Sequence, residues 1–187
     1  MYQTKKKVAE SSQHIYQQGL APGKSGNVSM RKDGYVAITP TRTSLRDIES
    51  ESVVLVGVDG TILSKEIIPS SELELHLSIY RERDDVDAVV HTHSPYATGF
   101  ALAGKKIYRL EGFGTINKSH LEMVDYATPG STKLAQIIGE KIKTEDVLLL
   151  EGHGVVCVGP SLDEAVLLAE WVEKCAESLF VAHLLKK

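Results

Sequence analysis

His91 and His93 stand two residues apart behind the apolar run Ala88-Val89-Val90. On a β-strand, side chains at i and i+2 share a face, so the two imidazoles point into one space. Paired imidazoles are natural ligands for zinc or a similar divalent metal. A third histidine, His153, lies between two glycines at the junction of the apolar runs Val147–Leu150 and Val155–Val158. There the chain can turn sharply and present a ring at a sheet end. Three nitrogen ligands with an open position are the arrangement of a catalytic metal rather than a structural one. Each histidine alone has a plainer reading: H-x-H also occurs in ordinary cores and surfaces, and a ring in a glycine turn can merely cap backbone groups.

Glu72 opens a helix that precedes the histidine strand. A carboxylate there can bind the metal or act as acid and base; a solvated first-turn glutamate favoured by the helix dipole is the alternative. Gly26-Asn27, Ser70-Ser71 and Thr41 supply backbone N–H groups, an amide and hydroxyls, and Ser70-Ser71 lies at a helix N-terminus, a place that favours a phosphate dianion. The same residues are also common turn chemistry.

The elements that must position these groups follow from the pattern. A helix over about Thr4–Gln18 stops at Gly19. Asp33-Gly34 and Asp59-Gly60 each follow a strand and predict two hairpins, hence a substantially antiparallel sheet. Ser71 with Glu74 forms a capping box for the next helix, on which Leu73, Leu77 and Tyr80 share a face. Ser94-Pro95 is a cap followed by a first-turn proline, so another helix starts directly after His93. Residues 106–126 give no clear pattern. A helix over Thr132–Lys143 and the two apolar strands around His153 come next. Ser161 with Glu164 then caps a long helix with an apolar stripe from Ala165 to Leu179.

Bulk composition narrows the classes. The chain has 187 residues and a net charge of −4, so it lacks the basic excess that recruits a nucleic-acid backbone. Its apolar runs are too short for a membrane span and its start has no signal-peptide core. Cys157 and Cys175 are isolated, which points to core thiols and a cytoplasmic location. With no repeats or linkers, residues 1–187 read as one domain.

Five ordered segments resemble the class II aldolase/adducin family, in its L-fuculose-1-phosphate aldolase-like branch. They are G-N-V-S-M-R from Gly26, I-T-P-T from Ile38, P-S-S-E from Pro69, A-V-V-H-T-H-S-P-Y-A-T from Ala88, and G-H-G from Gly152 with a following L-D-E-A helix. The resemblance implies a three-layer α/β/α fold with a mostly antiparallel central sheet, assembled as a homotetramer with sites at subunit interfaces. It implies a metal, usually Zn2+ (Mn2+ or Co2+ being the alternatives), on His91, His93 and His153, with Glu72 as resting ligand and acid/base. Gly26, Asn27, Thr41, Ser70 and Ser71 would hold the phosphate of a small sugar phosphate. The implied reaction is cleavage of a ketose 1-phosphate to dihydroxyacetone phosphate and an aldehyde through a metal-stabilised enediolate.

Three features depart from the pattern. Arg42 stands where these aldolases usually carry glycine. The tyrosine expected near position 111 has Tyr108, Glu111 and Phe113 as neighbours. The chain also stops at Lys187, without the C-terminal extension of several relatives, which ranks the epimerase branch lower. Epimerase, dehydratase and decarboxylase activities remain alternatives, as does a non-enzymatic adducin-like assembly role, against which the retained histidines and Glu72 count. A binuclear hydrolase motif is not met, because Pro95 occupies its aspartate position.

Overall fold

The structure, a computed structural model, describes residues 1–64, 66–110 and 118–186. Its seven strands are β1 (Asn27–Lys32), β2 (Tyr35–Ile38), β3 (Val54–Gly57), β4 (Ala88–Thr92), β5 (Glu122–Val124), β6 (Val147–Leu150) and β7 (Gly154–Gly159). They form one sheet in the order β3-β2-β1-β4-β7-β6-β5. Among the described residues only the edge pair β5–β6 is parallel, so the sheet is mostly antiparallel, as expected. The helices are α1 (Tyr2–Gln17), α2 (Leu73–Glu82), α3 (Pro95–Leu102), α4 (Thr132–Lys141) and α5 (Leu162–Leu185).

Strand periodicity sets the layers. Ala88, Val90, Val147, Leu149, Val155 and Cys157 pack with α1, α3 and α5 on one face of the sheet. Val89, Leu148, Leu150, Val156 and Val158 pack with α2 and α4 on the other. Because helices cover both faces, the central strands are continuous apolar runs and not alternating ones. This is the three-layer α/β/α architecture. Cys157 and Cys175 are both buried and unpaired within it.

The first hairpin forms as read: Asp33 (φ 50°) and Gly34 (φ 80°) make the two-residue turn between β1 and β2. The second is weaker, since β3 is continued only by a single bridge between Val56 and Ile62. Two helix starts differ from expectation. The Ser71/Glu74 capping box does not form: α2 begins at Leu73, Ser70 Oγ accepts from the Glu72 N–H at 3.2 Å, and Glu74 pairs with Arg81. Ser70 is fixed first, because its own N–H donates to the Thr39 carbonyl at 3.0 Å. Pro95 does open α3, but the Ser94 hydroxyl does not cap it. The buried carboxylate of Glu173, on α5, does so instead, accepting from the N–H groups of Tyr96 and Ala97 at 2.9 Å each. A carboxylate suits a helix N-terminus better than a neutral hydroxyl does. Ser161 caps α5 as read, accepting from the Glu164 N–H at 3.2 Å.

Arg31, on β1, closes the far end of α2. Its guanidinium donates to the carbonyls of Tyr80 (2.8 Å), Arg83 (3.1 Å), Asp84 (2.9 Å) and Val86 (2.6 Å). It also reaches Asp87 Oδ1 at 3.2 Å. A helix end leaves its last carbonyls without intrahelical partners, and a rigid fork of five N–H groups can serve several at once. A lysine, with three donors on one nitrogen, cannot span them. Arg31→Lys is expected to lower the unfolding free energy by about 2–4 kcal/mol, read from the urea midpoint. An unchanged midpoint would mean that water replaces the fork without loss.

Candidate active site

Strand register brings the chemistry together. β4 lies between β1 and β7, with Asn27 opposite His91 and Thr92 opposite Val155. The β6–β7 turn that carries His153 therefore sits at the same sheet end as Asn27 and His91. Val89 faces the α2 layer, so His91 does as well, and His93 follows just beyond the strand end. Two glycines allow the close approach. A Cβ at Gly154 would lie 2.3 Å from the Thr92 carbonyl and within 3.2–3.3 Å of the His93 and His91 rings. Gly26 (φ 77°) presses against the His91 carbonyl, where a Cβ would lie 2.8 Å away.

Three imidazoles converge. His91 Nε2 lies 3.0 Å from His93 Nε2 and 3.3 Å from His153 Nε2. It is also 3.2 Å from Glu72 Oε2, while His153 Nε2 is 3.5 Å from Glu72 Oε1. His91 Nδ1 donates to the Val155 carbonyl at 2.9 Å, so the proton of the neutral ring is on Nδ1 and Nε2 presents a bare lone pair. Burial pushes all three rings below the ordinary histidine pKa, His153 to about 4. Neutral rings with nitrogens this close cannot all share hydrogens; a cation among them satisfies every lone pair. A zinc ion with nitrogens at about 2.1 Å in tetrahedral geometry needs them about 3.4 Å apart, so these residues fit a metal.

Glu72 is 6 % exposed, which removes its reading as a solvated first-turn residue. Burial pushes its carboxyl up, but His91, the Asn27 amide and the other nearby rings together hold it below the usual carboxylate range. Oε2 accepts from Asn27 Nδ2 at 2.9 Å, whereas Oε1 accepts no hydrogen bond among the described residues. One oxygen is anchored; the other is buried without a hydrogen-bond partner, 3.5 Å from His153 Nε2.

Beside this cluster is a cavity of about 190 Å³, lined by Gly26, Asn27, Thr41, Ser70, Ser71, Glu72, His93 and His153. His91 forms the fully buried base of the cluster next to it. The loops meet because Thr41 N–H donates to the Ile68 carbonyl at 3.1 Å and Ser70 N–H to Thr39 at 3.0 Å. Lys24 and Arg42 also line the cavity, adding two cations to the polar groups anticipated there. Arg42 occupies the left-handed region (φ 59°), a conformation that glycine adopts without strain. Tyr108 is 53 % exposed; Glu111 and Phe113 fall outside the described residues.

Sequence reasoning passed over a buried polar seam behind the cavity. Asn27, Ser29 and Arg31 alternate along β1 and face α2, where Glu72, His76 and Tyr80 recur every four residues. Two strand residues rise about 6.7 Å and four helical residues about 6 Å, so the two rows stay in step. The signals were N-x-S-x-R on the strand and E-x-x-x-H-x-x-x-Y on the helix.

The sheet end of this mostly antiparallel α/β/α sandwich thus gathers three histidines that could hold a metal ion, with a glutamate beside them. The family described as "Class II Aldolase and Adducin N-terminal domain" matches residues 6–180, and the chain belongs to it. An L-fuculose phosphate aldolase from Methanococcus maripaludis is 36% identical over 172 residues, covering 92% of this chain and 93% of that protein. A 3-oxo-tetronate 4-phosphate decarboxylase from Escherichia coli is 32% identical over 173 residues, covering 89% and 81%. The solved structure of an L-fuculose 1-phosphate aldolase superposes with a TM-score of 0.91 at 27% identity, covering 99% of this chain and 88% of that one.

The depressed histidines give the metal-free protein an acid-sensitive stability. His76, fully buried, is held neutral down to about 3, while an unfolded histidine protonates near the ordinary 6.5. The unfolded chain then binds more protons as pH falls through that window, so stability is full above about 6.5 and declines below it. His76 alone contributes a decline of about 1.4 kcal/mol per pH unit. Urea midpoints of the metal-free protein at pH 7.5 and 5.5 should therefore fall in that order, and His76→Gln should flatten the slope.

Proposed function

We propose that this chain is a metal-dependent aldolase that cleaves a small ketose 1-phosphate to dihydroxyacetone phosphate and an aldehyde. The observation that carries the reading is the asymmetry of Glu72: a buried carboxylate in the lining of a polar cavity, with Oε2 anchored and Oε1 without a hydrogen-bond partner, beside three converging imidazoles. Family membership and the aldolase relatives support it. His91, His93 and His153 would hold the metal, with Zn2+ favoured by their nitrogen donors and Mn2+ or Co2+ as substitutes. When bound, such an ion supplies Lewis-acid stabilisation of the negative charge that develops beside the substrate carbonyl.

The chain's own groups supply the rest. Cleavage breaks the C3–C4 bond, the C4 hydroxyl loses its proton to become the aldehyde oxygen, and the electron pair stays on C3 next to the carbonyl. Protonation of C3 completes dihydroxyacetone phosphate, and Glu72 exchanges that proton. Ser70, Ser71, Thr41, Asn27 and the backbone at Gly26 hold the phosphate, and Lys24 and Arg42 add positive field at the same cavity. A decarboxylase is the second reading. The E. coli relative carries that name, and loss of CO2 from a β-keto acid likewise leaves charge beside a carbonyl.

Residues 1–187 act as one domain in this reading, and the protein works in the cytoplasm as a homotetramer with sites at subunit interfaces. Exposed Leu167, Phe180, Val181, Leu184 and Leu185 on α5 offer apolar surface for such contacts. Among the described residues, no helix is long and apolar enough to cross a membrane.

The test is a product assay on a panel of ketose 1-phosphates and keto-acid phosphates with zinc-loaded protein. Expected are one metal per chain, chelator-sensitive release of dihydroxyacetone phosphate, and about a 10²–10⁴-fold loss of rate in Glu72→Gln. Release of CO2 with no dihydroxyacetone phosphate would favour the decarboxylase; no product from any substrate would end both readings.

A further inference from the structure

We propose that His76 is a positioning residue for the reaction: it locks the Asn27 amide in one orientation and thereby holds the Glu72 carboxylate by Oε2 in a fixed position beside the histidines. This rests on the role proposed above for Glu72. His76 has no contact with the cavity, being fully buried beneath α2. Its two ring nitrogens nevertheless lie within a continuous hydrogen-bonded chain that ends at the Glu72 carboxylate.

The polarity of that chain has one solution. An ionised Glu72 can only accept, so the group 2.9 Å from Oε2 must be the NH2 of Asn27. The Asn27 carbonyl oxygen then faces His76 Nε2 at 2.5 Å, and two acceptors cannot share that contact, so Nε2 carries a hydrogen. Burial keeps the ring neutral, so Nδ1 is bare and accepts from Ser29 Oγ at 2.7 Å. Ser29 has a single hydrogen and has now used it. Tyr80, 2.7 Å away, must donate to Ser29 Oγ in turn. Every hydrogen along Tyr80–Ser29–His76–Asn27–Glu72 points the same way.

The direction matters for catalysis. If the His76 tautomer were reversed, Asn27 would turn its oxygen toward Glu72, placing two acceptors face to face in a dry site. With the tautomer fixed, Oε2 always receives an N–H, and the carboxylate is held 3.2 Å from His91 Nε2 among the residues that line the cavity. The chain thus fixes how the carboxylate is presented.

Two measurements test this in the zinc-loaded protein. Selective 15N labelling of histidine reads the tautomer by NMR: His76 should show a protonated Nε2 and a bare, hydrogen-bonded Nδ1. A protonated Nδ1, or an imidazolium at neutral pH, would overturn the proposal. This arm stands whether or not any sugar phosphate is cleaved, so it separates failure of the relay from failure of the functional reading.

The second arm compares His76→Gln with His76→Leu. A glutamine amide can still donate to Asn27 Oδ1; leucine cannot. The leucine variant should keep its zinc but lose about 10–100-fold in kcat, whereas glutamine should stay within about threefold of the parent, since it keeps the one hydrogen bond that matters. Equal loss in both variants, or no loss in either, would sink the proposal. Should the leucine variant fail to fold, Ser29→Ala takes its place: it removes the donor to Nδ1, and the NMR should then show a mixture of His76 tautomers. A single unchanged tautomer there would count against the relay.

Discussion

Burying polar side chains between a strand and a helix is tolerable only when every donor meets an acceptor, and that requirement governs the contact between β1 and α2. Leaving one such group unpaired costs on the order of 1–3 kcal/mol. Asn27, Ser29 and Arg31 are therefore matched along the seam to Glu72, to His76 and Tyr80, and to the carbonyls at the end of α2. The match fixes the axial position of α2 against the sheet. Because Glu72 stands just before the first turn of that helix, the seam also fixes where the carboxylate lies relative to His91 on β4. The same contacts that hold the layer together aim the Glu72 carboxylate.

Much of this was legible in the chain, and the reasons differ by residue. His91 and His93 were readable because a strand has a period of two and the apolar run before them marks the strand. His153 was readable through its flanking glycines. The antiparallel sheet followed from Asp33-Gly34, whose turn forms as expected, and from a second Asp-Gly whose hairpin is only begun. Five phosphate-type residues, Gly26, Asn27, Thr41, Ser70 and Ser71, do line one cavity, although no local signal in the sequence could bring them together.

What was not legible depends on contacts between distant elements. Glu173 caps α3 from 76 residues away in the Ala97 contact, and a serine-proline start is indistinguishable in sequence from one that caps itself. The Ser71/Glu74 box was a correct local pattern overruled by the pinning of Ser70 to Thr39. The spacing of four lets Glu72 and His76 be read as sharing a helix face, but the partners of His76 lie on β1, and only the superposition of two different periods, two on the strand and nearly four on the helix, reveals the row. Strand β5 has three residues and an edge position, too little pattern to show in the chain.

The close packing around Gly154 has a consequence for how such a chain could diverge. The Thr92 carbonyl leaves no room for even a methyl group there, and both neighbouring rings would be displaced by one. All three histidines, the glutamate and the sheet order could survive an alanine at that position while the nitrogen triangle opened. Catalysis and scaffold would then part company through a residue that has no chemistry of its own. Inventories of retained ligands would score such a descendant as an enzyme; the missing side chain beside them is the better witness.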